Sequence, residues 1–148
     1  MLSPIMMIIV MIITSFIIDY FTMTILLTDN ITFNLNKIYG SLLMGMLMGL
    51  IQLFMLKEDF SNNMFWVLTI LIIIIVLSLV YAIREQWLID DKQFELSMIE
   101  HHAMAIAMAN KFKNRTRDPE LYQLSNDIIN SQQSEIDFLW RKYKGSIV

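Results

Sequence analysis

Residues 64–83 read MFWVLTILIIIIVLSLVYAI. From Ile70 to Val80 the only polar residue is Ser78, so a helix drawn through this stretch is apolar on every face. A helix lying on a water-soluble core keeps a polar stripe toward solvent, and this one has none. At a rise of about 1.5 Å per residue, such a segment reaches across the roughly 30 Å of a bilayer's hydrocarbon core. Trp66 near one end and Tyr81 with Trp87 near the other suit the two membrane interfaces, where an amphipathic ring has one side wet and one side apolar. Arg84 and Glu85 mark the exit into water.

Two more apolar stretches precede it, at about 5–27 and 39–56. The first carries Asp19, which at that depth must face protein or water and not lipid. It has no basic stretch ahead of it and outlasts the apolar region of a cleavable signal, so it reads as a retained span. Thr28 to Lys37, with Asp29, Asn30, Asn34 and Asn36, forms a polar link. In the second span Ser41, Gly45 and Gly49 recur at every fourth position and share one face, along which another helix can approach closely. Packing within one chain and dimerisation both use that pattern. The polar link Lys57 to Asn63 is short enough to make spans two and three antiparallel neighbours. Residues 1–85 are therefore expected to form a three-helix transmembrane domain with the lipid bilayer as its first partner.

Composition agrees. Of 148 residues 56% are hydrophobic and 17% charged, and most of the charge follows residue 84. The net charge of -3, with no basic cluster interleaved with aromatics, excludes a nucleic-acid partner. The absence of cysteine excludes disulfides, thiolate metal sites and cysteine nucleophiles. Many of the 13 methionines lie in the apolar segments, where they serve as flexible space-fillers.

Residues 86–148 change character and predict a helical hairpin, at about 91–113 and 118–143. Asp90 or Asp91 is placed to cap the first helix, and Lys111, Lys113 and Arg115 suit its C-terminal end. Asp118-Pro119-Glu120 restarts the chain, with aspartate as cap, proline at the first helical position and glutamate at the positive end of the dipole. Phe94, Met98, His101, Ala105, Met108 and Phe112 define one stripe, expected to meet Leu121, Leu124, Ile128, Gln132, Glu135, Leu139 and Tyr143 on the second helix. A lone hairpin buries little, so the expected all-α architecture is completed as a four-helix bundle by a homodimer or a higher oligomer.

Chemistry concentrates in Met98-Ile99-Glu100-His101-His102-Ala103-Met104-Ala105-Ile106-Ala107-Met108, which holds both histidines of the chain. Adjacent histidines point about 100° apart on a helix, whereas Met98 with His102, His101 with Met104, and Met104 with Met108 share faces. Imidazole with thioether is a soft donor set that favours copper(I), or silver, over hard cations. A hydrogen-bonded core histidine among packing methionines is the plain alternative. A di-iron oxidase needs Glu-x-x-His, and Met98 and Ile99 stand three before the histidines, so that class fails. Nucleophilic hydrolysis fails too: Ser97 is the only nearby hydroxyl, with no oxyanion loop before it. Binding is expected here and catalysis is not.

These residues resemble the family called domain of unknown function 305, whose members are ferritin-like helical proteins. Its signature, roughly Met-Ile-Pro-His-His then Ala-Ile-x-Met, is matched by Met98-Ile99-Glu100-His101-His102 and Ala105-Ile106-Ala107-Met108. Its second helix begins Asp-Pro-Glu and continues Ile-x-x-Ser-Gln-x-x-Glu-Ile, matched by Asp118-Pro119-Glu120 and by Ile129 to Ile136. Asp91 to Phe94 and the link Phe33 to Asn36 resemble a membrane-anchored subgroup. The resemblance implies copper or silver bound by histidine and methionine, in metal handling or tolerance on the extracytoplasmic side. It implies Met98, His101, His102 and Met108 as ligands, beside Met104 from the spacing above, with Gln132 and Glu135 supporting them; Glu100 adds an acidic oxygen beside the histidines and is a further supporting candidate. Glu100 stands where the family has proline, and Leu139 where many members have methionine. Lys37, Arg84 and Lys92 against Lys57 weigh toward a cytoplasmic hairpin, and the resemblance toward an external one. A scaffold that assembles through its helices without metal is the competing expectation.

Overall fold

The computed structural model describes residues 2–27 and 32–145. Thr28 to Ile31 of the first predicted link, Asp29 and Asn30 among them, lie outside the described residues. The chain is all-helical: α1 (Pro4–Leu27), α2 (Leu35–Met55), a 3-10 turn (Lys57–Asp59), α3 (Asn62–Arg84), α4 (Asp91–Lys113) and α5 (Pro119–Gly145). No strand occurs among the described residues. Three helices have stretches long and apolar enough to cross a membrane, Pro4–Thr22, Leu35–Met55 and Asn62–Arg84, with mean hydropathies of 2.2, 1.8 and 2.9. α2 starts a turn before the expected position, because Leu35, Asn36 and Lys37 join the helix instead of the link.

Local signals set the helix ends. The Ser61 side chain accepts from Met64 N at 3.4 Å at the start of α3. Asp90 accepts from Gln93 N at 2.8 Å at the start of α4. Asp118 accepts from Glu120 N at 2.8 Å and from Leu121 N at 3.2 Å ahead of Pro119. At the end of α3, Trp87 N donates to Ala82 O at 2.9 Å, closing a Schellman turn whose left-handed position is held by Gln86, at φ 51. The Gln86 side chain makes up for the missing glycine by donating to Ile83 O at 2.8 Å and bonding with Asn36.

The chain forms two compact units, and the division is not a single cut near residue 85. One unit comprises residues 1–21 and 36–88; the other comprises 22–35 and 89–148. The end of α1 and the segment before α2 thus belong with the hairpin.

In the first unit Ile8, Leu53, Phe65 and Ile72 form the core, with Ile12, Met46, Leu50 and Leu68 against it. Ser41, Gly45, Gly49 and Leu53 are the buried stripe of α2. A Cβ at Gly45 would stand 2.8 Å from the carbonyl oxygen of Ile12, and one at Gly49 would stand 2.7 Å from Ile12 Cδ1. At Gly45 and Gly49 the small-residue face therefore packs closely against α1 of the same chain. Outward residues such as Ile13, Ile17, Val67, Ile70 and Leu77 are exposed. Exposed apolar rows on all three helices are what a lipid solvent permits and water does not.

Candidate functional site

In the second unit α4 and α5 pack antiparallel, and the buried positions of α4 are Ile99, Glu100, His102, Ala103 and Ala109. That arc is wider than one stripe because α4 is covered on two sides. α5 covers one of them, with Ser125, Ile136 and Leu139 as its buried residues. The segment 32–35 covers the other, where Thr32 Oγ1 lies 2.9 Å from Leu96 O and Leu35 N donates to Gln93 Oε1 at 2.8 Å. The expected α4 stripe is displaced by one residue as a result. Phe94, His101, Met108 and Phe112 are exposed, and His102, not His101, faces the interior.

Glu100 does not support the histidines. Its carboxylate is buried, 4% exposed, and turns to the 32–35 segment. Oε2 accepts from Thr32 N at 3.2 Å and from Asn34 Nδ2 at 3.2 Å, and lies 2.8 Å from Thr32 Oγ1. Asn34 Nδ2 also reaches Thr32 Oγ1 at 3.0 Å. A buried acid is tolerated because donors converge on it. This docked segment was not anticipated from the sequence. The available signal was an acidic residue at an interior helix position, which demands donors from somewhere outside the helix.

His102 is the organised group of the histidine helix. Its ring is buried and bridges to α5 with both nitrogens: Nδ1 meets Gln132 Oε1, and Nε2 lies 3.1 Å from Glu135 Oε2. Gln132 and Glu135 lie three residues apart and so share one face of α5, opposite the His102 face of α4. Gln132 is half-buried, while the Glu135 side chain is 52% exposed, so the Glu135 end of the relay opens to solvent. The His101 ring sits edge-on to that of His102, 5.8 Å between centroids, and is exposed. Met98 and Met104 are half-buried, and Met108 is 60% exposed. The structure thus joins His102, Gln132 and Glu135. It sends Glu100 to another partner and leaves His101 and Met108 on open surface. Among the described residues, no group of three or more histidine and carboxylate side chains can hold a metal within one chain.

The family model described as domain of unknown function (DUF305) matches residues 89–142, from the start of the hairpin to near its end. An uncharacterized protein of Acanthamoeba polyphaga mimivirus is 45% identical over 109 residues, covering 73% of this chain and 70% of the viral protein. This chain belongs to the DUF305 family. The likeness to the mimivirus protein is longer than the family match, so it reaches into the helices that precede the hairpin. No solved structure matches. Within the DUF305 signature the second histidine, not the first, carries the cross-hairpin contacts.

Proposed function

We propose that this DUF305 protein is a membrane-anchored metal-binding protein, with copper as the cargo and His102 as its principal donor. The observation that carries this reading is the fixed imidazole of His102. A histidine that binds metal through one nitrogen ordinarily engages a carbonyl or carboxylate through the other, which sets its tautomer and orientation. Gln132 Oε1 at Nδ1 is that partner, and Glu135 brings an anionic oxygen to the other nitrogen. The donor types fit copper, whose sites accept imidazole. Exposed His101 and Met108, with half-buried Met104 between them, offer a soft outer face on which an incoming ion first lodges. Anchoring by α1–α3 keeps the hairpin at a membrane surface, on the extracytoplasmic side in this reading, where copper or silver is met. Its role is binding, in metal handling or tolerance, and not catalysis.

Copper titration of metal-free protein in detergent tests it. His102→Ala is expected to weaken binding by about 10- to 100-fold, while His101→Ala stays within about threefold of the parent. Equal affinity for the parent and His102→Ala would remove the proposal.

A second reading rests on a separate observation. Near the turn of the hairpin an apolar groove of about 400 Å³ runs between the helices, lined by Met108, Ala109, Phe112, Leu121, Leu124 and Ile128. Self-association of two hairpins into a four-helix bundle covers such a face. Under that reading mass photometry in detergent shows dimers, and Phe112→Asp with Leu124→Asp converts them to monomers. Monomers alone in the parent protein would refute it.

A further inference from the structure

Resting on the metal-binding reading above, we infer that Glu135 is itself a ligand. It forms with His102 Nε2 a two-donor half-site selective for a borderline divalent ion, Cu(II) or Zn(II), over Cu(I). Gln132 Oε1 is an acceptor only, so the ring nitrogen against it, Nδ1, holds a hydrogen. A neutral imidazole then carries its lone pair on Nε2. The atom facing that lone pair, 3.1 Å away, is Glu135 Oε2, which also presents lone pairs. The two atoms stand close enough to share one cation. Metal–nitrogen and metal–oxygen bonds of about 2.0–2.2 Å together exceed that separation, so an ion about 1.4 Å to one side of the line joining them reaches both donors at an angle near a right angle.

The donor set also decides the class of ion. Cu(I) takes thioether and thiolate, whereas imidazole with carboxylate suits Cu(II) and Zn(II). His102 is fixed by burial, and Glu135 is half exposed, so the remaining coordination positions open toward solvent, where water completes the shell. Gln132 is a positioning residue: it acts on the ion only through the tautomer it imposes on His102.

The test uses full-length protein in detergent, stripped of metal and titrated separately with Zn(II), Cu(II) and Cu(I) against chromophoric chelators. Glu135→Gln keeps the shape and removes the charge. It is expected to weaken Zn(II) and Cu(II) by about 100-fold or more, beyond what an outer partner contributes, and to leave Cu(I) within about threefold. Gln132→Leu is expected to weaken the divalent ions by about 10- to 100-fold, and Gln132→Glu to restore them, which a merely structural role for this side chain would not produce. The Cu(II) electron paramagnetic resonance spectrum should show one imidazole nitrogen, lost in His102→Ala. Circular dichroism of each variant guards against misfolding. If Glu135→Gln binds divalent ions like the parent while His102→Ala does not, Glu135 is no ligand and this inference fails while the metal reading stands. If His102→Ala binds every ion like the parent, the metal reading itself fails.

Discussion

Glu100→Ala is expected to free the 32–35 segment from α4 and to lower the unfolding free energy of the hairpin unit by about 3 kcal/mol. The substitution removes the buried acceptor on which Thr32 N, the Thr32 hydroxyl and the Asn34 amide converge; the hydroxyl keeps Leu96 O and the amide keeps Thr32 Oγ1, so the dry donor left behind is Thr32 N. Bonds to a charged acceptor contribute about 1.5–3 kcal/mol each and are not additive, and donors left dry cost more than donors never buried. Glu100→Gln keeps an acceptor in place but loses the charge, and is expected to cost about 1 kcal/mol. Thermal denaturation in detergent gives the magnitudes, and hydrogen exchange gives the location. In Glu100→Ala the amides of Thr32 and Leu35 should exchange at rates near those of an open chain while those of α5 keep their protection. Unchanged exchange at Thr32 would contradict this account of Glu100.

Gly45→Ala is expected to destabilise the three-helix unit by about 2 kcal/mol, at the upper range for one added methyl group. The methyl would stand 2.8 Å from the Ile12 carbonyl oxygen, a backbone atom that moves only if α1 moves. At Gly49 the obstruction is the Ile12 side chain, which trimming removes. The two glycines therefore differ in a way that a double-substitution cycle reads directly. Ile12→Ala should restore most of what Gly49→Ala loses and almost none of what Gly45→Ala loses, because alanine keeps the carbonyl. In lipid this contact matters more than its size suggests. Between helices surrounded by acyl chains as apolar as leucine, close packing and not the hydrophobic effect supplies the attraction. Equal rescue at both positions, followed by thermal stability in detergent, would refute the close approach at Gly45.

The sequence disclosed most where one physical rule dominated. A segment such as 70–80, with Ser78 as its single polar residue, has no aqueous solution, and its helix was legible end to end. A cap at Asp90 or Asp91 and another at Asp118 were legible because carboxylates ahead of a helical run have few better uses than satisfying free amides, and of the first two the structure uses Asp90. The face of α4 was harder to read. A stripe through His101 assumes one covered side, and α4 has two, so the buried arc widened to Ile99, Glu100, His102 and Ala103 and the inward histidine moved by one residue. The second cover, residues 32–35, has no hydrophobic period to announce it: Thr32 and Asn34 look like any polar link. Glu100 was the one residue that pointed to it. Where the related signature has proline, an acid in the middle of a packed helix needs donors, and they come from a segment outside the hairpin. Gln132 and Glu135 were legible as partners of an imidazole across the hairpin. Which imidazole they meet depended on the register of α4.

The most direct test of the central claim is nitrogen NMR of the two histidines in metal-free full-length protein, before and after a stoichiometric addition of Zn(II). The account predicts that the His102 ring carries its hydrogen on Nδ1, and that its Nε2 resonance moves to a metal-bound position while His101 is unchanged. An unaltered His102 spectrum, or a change confined to His101, would contradict it.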